Sequence, residues 1–297
     1  FFTSLNKAKT LGEKLKVFAS FRLHFLKPVV AIEQGLTDSY CGFNMGQTAE
    51  LLARELHISR EEQDFFANES HQKAVKAIQN GFFQKEIMPF LQGKKGDKIL
   101  PTDSGPRAQS TIQSLAKLRP YFEKETGTVT VGNSCPLTDG ASACLMVSEE
   151  ALKKYKLTPL AILKDITFAG LDPKRMGLGP VVATQKICRK SNISLSDVDL
   201  FEINEAFSAQ VLACLKIFKH KELALKMGLS QDFLQEIPSE KLNIHGGAIA
   251  LGHPIGSTGS RLVVTLMHAL KQKKLKTGIA SLCIGGGQGG AALVEMI

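Results

Sequence analysis

With 297 residues, 43% of them hydrophobic, the chain can bury a sizeable core as one or two domains, and no run of about eighteen apolar residues offers a membrane-spanning helix. A net charge of +9 favours anionic partners, but no nucleic-acid motif appears and no tryptophan and only three tyrosines are present for base stacking, so a phosphate-bearing cofactor fits at least as well. The six cysteines, Cys41, Cys135, Cys144, Cys188, Cys214 and Cys283, show neither CxxC pairs nor metal-ligand spacing, which predicts free thiols, a reducing compartment and no structural zinc or other metal.

The chain starts at Phe1 and shows no signal peptide, so a processed end or a fragment boundary is expected. Residues 1–28 read as one basic amphipathic helix. Leu11, Leu15, Phe18, Phe21 and Phe25 recur three or four apart, among Lys7, Lys9, Lys14, Lys16, Arg22 and Lys27. Such a helix can lie on an anionic membrane, dock a partner or pack on its own protein. Residues 29–125 read as irregular and mainly helical, with helices over 48–56 and 59–80. In the second, Ser59 and Glu62 form a capping box, Phe65, Phe66, Ala74, Val75 and Ile78 form the buried stripe, and Gly81 follows the end. Residues 93–98 read as a loop and 114–118 as a short helix.

From Gly127 the pattern changes. Thr128 to Val131 is strand-like, Asp139-Gly140 a turn, Ala141 to Val147 a buried strand and Glu149 to Tyr155 a helix. A strand over 161–169, a helix over 181–190, a cap at 194–197, an apolar strand-like run over 198–203 and an apolar helix over 207–218 follow. Residues 220–240 read as polar and locally helical. The alternation predicts an α/β fold with helices on both faces of a sheet.

Three stretches carry chemistry, each at the end of a probable strand. Asn204-Glu-Ala-Phe207 follows the run that ends at Ile203. Asn243-Ile-His-Gly-Gly-Ala-Ile-Ala-Leu-Gly-His-Pro-Ile-Gly-Ser-Thr-Gly259 opens an apolar helix with Leu262, Val263, Leu266, Met267 and Leu270 at helical spacing. Cys283-Ile-Gly-Gly-Gly-Gln-Gly-Gly290 follows Gly278 to Leu282. Together they supply a carboxamide, an imidazole, a thiol and glycine-rich backbone that can approach a ligand.

This set resembles the thiolases, whose C-terminal signatures NEAF, NxxGGAIALGHPxGxxG and CxGGGQG are matched almost letter for letter, and the resemblance extends upstream to about Gly35. It implies a layered αβαβα fold, incomplete here: residues 1–126 as the loop domain with its basic insertion, 127–156 as the last piece of the first half, and 157–297 as the C-terminal half. It also implies cleavage of a 3-ketoacyl-CoA by free CoA, or the reverse Claisen condensation, with coenzyme A as co-substrate and no permanently bound cofactor. His253 would activate the nucleophilic cysteine, and Cys283 would be the second acid/base. Gly285 would donate an N–H to the oxyanion, and Asn204 would hold a water beside His253. Arg107 and Ser114 would touch the nucleotide end of CoA. Leu36, Met45, Phe122 and Val131 would line the pantetheine tunnel, with Asn44, Cys135 and Phe207 beside them.

Asn44 stands where the biosynthetic enzymes have a histidine, and Cys135 where a serine is expected. The nucleophile's Cys-Ala-Ser-Gly-like context occurs nowhere, so the chain is expected to be inactive alone and to expose the surface on which a missing half-domain packs. The basic segment before Gly35 resembles the insertion in the thiolase subunit of trifunctional fatty-acid oxidation complexes. That favours the degradative reaction over acetoacetyl-CoA synthesis or a non-catalytic CoA-ester or lipid-binding role. It also implies a homodimer or tetramer, a hydratase/dehydrogenase partner subunit, peripheral membrane contact, and a bacterial cytoplasm or mitochondrial matrix.

Overall fold

In the computed structural model of the chain the described residues are 1–27, 30–93 and 97–297, and they separate into two compact units, Phe1–Thr37 and Asp38–Ile297. Pro28, and Lys94 to Gly96 of the expected loop, lie outside the described residues.

The first unit corrects the single helix expected over 1–28. It holds α1 (Phe2–Lys7), α2 (Leu11–Ala19), a 3-10 turn over Leu23–Leu26 and α3 (Ala31–Gly35). A local signal overrides the long periodicity. The Thr10 hydroxyl accepts from the Glu13 N–H at 3.2 Å while the Glu13 carboxylate accepts from the Lys9 and Thr10 N–H groups, so a new helix starts there. The rings of Phe18, Phe21 and Phe25 gather around Phe1 at centroid distances of 5.1–6.1 Å. Leu11 and Leu15 remain 76% and 61% exposed.

The second unit is built on a four-stranded sheet ordered β3-β6-β5-β4: β3 is Ala161–Gly170, β4 Leu200–Ile203, β5 Thr277–Ile284 and β6 Gln288–Met296. β6 runs antiparallel to both its neighbours, and β4 runs parallel to β5. A separate hairpin, β1 (Phe90–Gln92) with β2 (Lys98–Leu100), is exposed.

Among the described residues of this unit, eight helices come before the last: α4 (Met45–Glu55), α5 (Arg60–Gln79), α6 (Ile112–Ala116), α7 (Glu149–Tyr155), α8 (Gly179–Ser191), α9 (Ser208–Lys219), α10 (Lys221–Lys226) and α11 (Ala248–Leu251). The ninth of the unit, α12, runs Thr258–Lys273 between α11 and β5. The sheet is covered on both faces, as its alternation predicts. Phe201, Ile203, Ile279 and Leu293 join the core that includes Val181, Ile187, Val211 and Ile217 of α8 and α9. Their sequence neighbours Leu200, Ala280 and Val294 face Leu262, Leu266 and Leu270 of α12. The pleat therefore sends successive residues into two cores.

Within α5 the Ser59–Glu62 capping box forms, and Gly81, at φ +70°, follows the C-terminal end. The buried stripe differs from expectation. Phe65 is 55% exposed, whereas Gln63 and Asp64 are buried. Hydrogen bonding turned that polar edge inward: Gln63 Nε2 donates to Thr128 Oγ1 at 2.9 Å, and Asp64 accepts from Arg60 and from Asn133 Nδ2.

Two expected strands are absent. Within Thr128 to Val131 only Val129 and Thr130 are buried, and the stretch has no ladder because side chains take its backbone groups. Glu50 accepts from the N–H groups of Thr128 and Val129, and Asn133 Oδ1 accepts from Thr130. Ala141 to Val147 is neither strand nor buried, with Leu145 81% and Met146 69% exposed. A strand needs a neighbour for its N–H and C=O groups, and none of the described residues supplies one. Ile162, Ile166 and Phe168 of the edge strand β3 are likewise 46–59% exposed.

Candidate active site

The three signature stretches converge at one end of the sheet. Asn204 follows β4, and its N–H donates to Ser281 O of β5 at 2.9 Å, two residues before Cys283. β5 and β6 form a hairpin whose turn is Gly285-Gly286-Gly287. Asp38, buried at 5% exposure, holds that turn: its Oδ2 accepts from the Gly286 N–H at 2.7 Å, and its Oδ1 from Tyr40 and Cys41. These donors, that of Cys41 foremost, keep the Asp38 carboxyl below its ordinary range against the opposing effect of burial.

His253 lies between α11 and α12. Thr258 Oγ1, on the first residue of α12, donates to Pro254 O at 3.1 Å and so accepts from His253 Nδ1, 2.7 Å away. A hydroxyl has one proton, so this chain fixes the proton on Nδ1 and leaves the lone pair on Nε2. Nε2 sits 3.4 Å from the Asn204 amide nitrogen. Burial, helped by the charge of Arg261, lowers the His253 pKa to about 4, and burial pushes the Cys283 thiol up to about 12. At neutral pH the pair is therefore an uncharged imidazole that can take a proton and an uncharged thiol that can give one. Asn204 is fully buried, with its Oδ1 unpartnered among the described residues.

Of the other candidate residues, Met45 and Cys135 lie beside this centre. Met45 opens α4, and its sulfur lies 3.8 Å from where a Cβ on the exposed Gly285 would stand. Phe122 packs edge-on against Phe207 at 5.8 Å. Cys135 donates its N–H to Ala206 O at 3.0 Å, and burial and the nearby Cys283 push its thiol up to about 12. Asn44 caps α4, accepting from Gln47 N at 2.9 Å, so its oxygen is committed to the helix. Val131 is 59% exposed. Arg107 and Ser114 are exposed on the segment before and within α6. The Arg107 N–H donates to His71 Nδ1, and the Ser114 hydroxyl donates to Thr111 O. Leu36 belongs to the first unit.

The sequence reading assigned no role to the residues that hold this centre in place. Thr258, Asn243 and Glu205 lie inside the quoted signatures. Ser70 and Asp38 carried no local signal, being single polar residues far away in the chain. Glu205 is 1% exposed. Its Oε2 accepts from Ser70 Oγ at 2.6 Å and Ile249 N at 3.3 Å, and its Oε1 from Asn243 Nδ2 at 2.8 Å. Asn243 also accepts from Ile203 N and donates to Ile203 O, both at 2.9 Å. Gly246, at φ +78°, crosses α5 so closely that a Cβ would fall 2.5 Å from Ser70 O and 2.9 Å from Ala74 N. Gly246→Ala is therefore expected to cost about 3 kcal/mol, from backbone overlap and a left-handed φ together. Urea denaturation checks this, and a loss below 1 kcal/mol would show that α5 gives way.

Two family models match the chain, the thiolase N-terminal domain over residues 21–150 and the thiolase C-terminal domain over 157–296. A probable acetyl-CoA acyltransferase of Staphylococcus aureus strain COL is 47% identical over 266 residues, which are 89% of this chain and 63% of that protein. The crystal structure of the Bacillus anthracis acetyl-CoA acetyltransferase superposes with a TM-score of 0.80 at 41% identity, covering 90% of this chain and 64% of that one. That of human mitochondrial 3-ketoacyl-CoA thiolase in complex with CoA gives 0.77 at 37%, covering 90% and 62%. The chain thus spans less than two thirds of the length of these relatives. Two family models that between them take in nearly all of the sequence, and a fold shared with solved members at about 40% identity, lead to one conclusion: the chain belongs to the thiolase family.

Proposed function

We propose that the chain carries the acid/base half of a CoA-dependent acyl-transfer site, acting in thiolytic cleavage of a 3-ketoacyl-CoA. His253 Nε2 takes the proton of a nucleophilic cysteine, and Cys283 gives and takes the proton at the α-carbon of the acetyl unit. Asn204 holds a water at the thioester oxygen, and the Gly285 N–H faces the oxyanion. The carrying observation is the relay Pro254 O, Thr258, His253, Asn204, because it presents a neutral imidazole with its lone pair aimed at the site. The unpartnered Asn204 Oδ1 supports the water.

The nucleophile in this reading comes from polypeptide outside residues 1–297, since none of the other five cysteines has the sequence context for it. The half-domain division at 126 and 156 is part of the same proposal. Coenzyme A would lie along Met45, Phe122, Val131, Cys135 and Phe207, with its nucleotide end toward Arg107 and Ser114 and Asn44 turning its amide nitrogen to the ligand. Met45 beside Gly285 and the Phe122–Phe207 contact support that path. The degradative direction rests on the basic N-terminal segment.

The test is His253→Ala in a protein that includes the upstream cysteine, assayed for CoA-dependent cleavage of 3-ketoacyl-CoA. Loss of general-base function is expected to lower kcat by roughly a thousandfold. Activity within threefold of wild type would sink the assignment. Residues 1–297 alone are expected to show no turnover.

A further inference from the structure

We infer that Glu205 is a positioning residue for His253: its buried carboxylate ties the segment Asn243–Leu251 to α5 and β4 and so fixes the approach of the loop that carries the imidazole. The inference rests on the reading of His253 as the site's base.

The geometry is a clasp of three donors on one carboxylate. The Ser70 hydroxyl accepts from the Gly247 N–H at 3.1 Å, so its own proton goes to Glu205, which lies 2.6 Å away. Asn243 has its oxygen committed to Ile203 N, so it can present only its NH2 to Glu205. Ile249 offers a backbone N–H from inside α11. Each partner comes from a different stretch: α5, the loop after Leu242, and α11. Gly247 presses against the carboxylate, with a Cβ there falling 2.3 Å from the Glu205 carboxyl carbon. From that anchored point four residues of α11 lead to Gly252, and His253 follows. Glu205 also directly follows Asn204, so one residue holds the backbone on both sides of the 3.4 Å contact between Asn204 and His253.

All three partners donate, so the site is built for an acceptor-only group. A glutamine has the same size but must turn an NH2 toward either Asn243 or the Ser70 and Ile249 donors. Asn243 cannot flip to accommodate it without losing Ile203. Burial raises the Glu205 pKa, and the bonds from Ser70, Asn243 and Ile249 oppose that rise.

The test uses residues 1–297 as a whole, with amide hydrogen exchange and an NMR titration of the His253 ring. In Glu205→Gln the Gly247 and Ile249 amides are expected to exchange at least about tenfold faster. The His253 midpoint should rise by about one pH unit toward the 6.5 of a solvated imidazole, as the loosened loop admits water. Arg261, the charge acting on His253, is untouched by the change. Ser70→Ala, which removes only a hydroxyl, should move both readouts in the same direction by less, and still reports if Glu205→Gln fails to fold. The double variant should shift His253 by less than the sum of the two. If the melting temperature falls while His253 titrates as in wild type, Glu205 merely fills the core and the inference is overturned. If His253 shifts as described but His253→Ala in the longer protein retains thiolysis, the clasp stands and the functional reading fails.

Discussion

Glu50→Ala is expected to lower the unfolding free energy by roughly 4 kcal/mol. Glu50 is 1% exposed and lies on α4. Its oxygens accept from the Thr128 N–H at 3.0 and 2.9 Å, from the Val129 N–H at 2.9 Å and from the Thr128 hydroxyl at 3.2 Å. Alanine leaves two buried backbone donors and a hydroxyl proton without a partner, each costing about 1–3 kcal/mol. Thr128 continues to accept from Gln63, so the segment cannot simply swing out to water. Urea denaturation should show the loss as a lower midpoint with an unchanged slope, and the melting temperature should fall by about 10 °C. Glu50→Gln, which keeps one acceptor, should lose about half as much. A loss under 1 kcal/mol for alanine would mean that residues 127–130 find water and do not depend on Glu50.

The contribution of five buried groups to stability is expected to peak near pH 6.5 and to fall on both sides. Burial foremost lowers His71, His245 and His253 to about 4, helped by Arg107, Lys273 and Arg261 respectively. Burial raises Glu86 to about 7 and Glu202 to about 8. The sign follows from proton counts. Between about pH 4.5 and 6.5 the unfolded chain protonates the three histidines, whereas the folded one protonates the two glutamates. Of these five groups the unfolded state thus binds one proton more, and their contribution to stability rises with pH. Above pH 6.5 the histidines are neutral in both states and only the folded chain still holds glutamate protons, so stability declines as pH climbs through 7 and 8. Each flank is worth about 3 kcal/mol. Urea midpoints at half-unit intervals from pH 5 to 8.5 measure it. A profile rising steadily to pH 8.5 would show that Glu86 and Glu202 are ionised in the fold, paired by Arg261, which lies 3.8 Å from Glu202.

Much of the second unit was legible because its local signals agree with its packing. β3, β4, α8, α9 and α12 lie within a few residues of expectation, since each has an apolar periodicity that its tertiary setting uses. The Asn204, His253 and Cys283 stretches were legible for a different reason: dense glycine and special side chains at strand ends have few structural uses. What was not legible was the non-local hydrogen bonding. Thr128 to Val131 has strand composition, but Glu50, about eighty residues earlier, takes its N–H groups. Residues 1–28 have a helical period, but Thr10 and Glu13 restart the helix. Ser70 and Asp38 look like ordinary surface residues until the fold brings Glu205 and Gly286 to them. The apolar run Ala141 to Val147 promised a buried strand, and periodicity alone cannot supply the neighbour it would pair with.

The two displaced pKa values at the centre have a consequence for how the region meets bulk solvent. With His253 near 4 and Cys283 near 12, neither group takes up or releases a proton across about eight pH units. A potentiometric titration of the folded protein will count both as missing, and buffer composition will not alter their charge. In the proposed reaction the protons that move there come from the nucleophilic cysteine and from the substrate, not from the medium. The region is in effect a closed account between two neutral groups, electrically silent to the medium and responsive only to what docks against it.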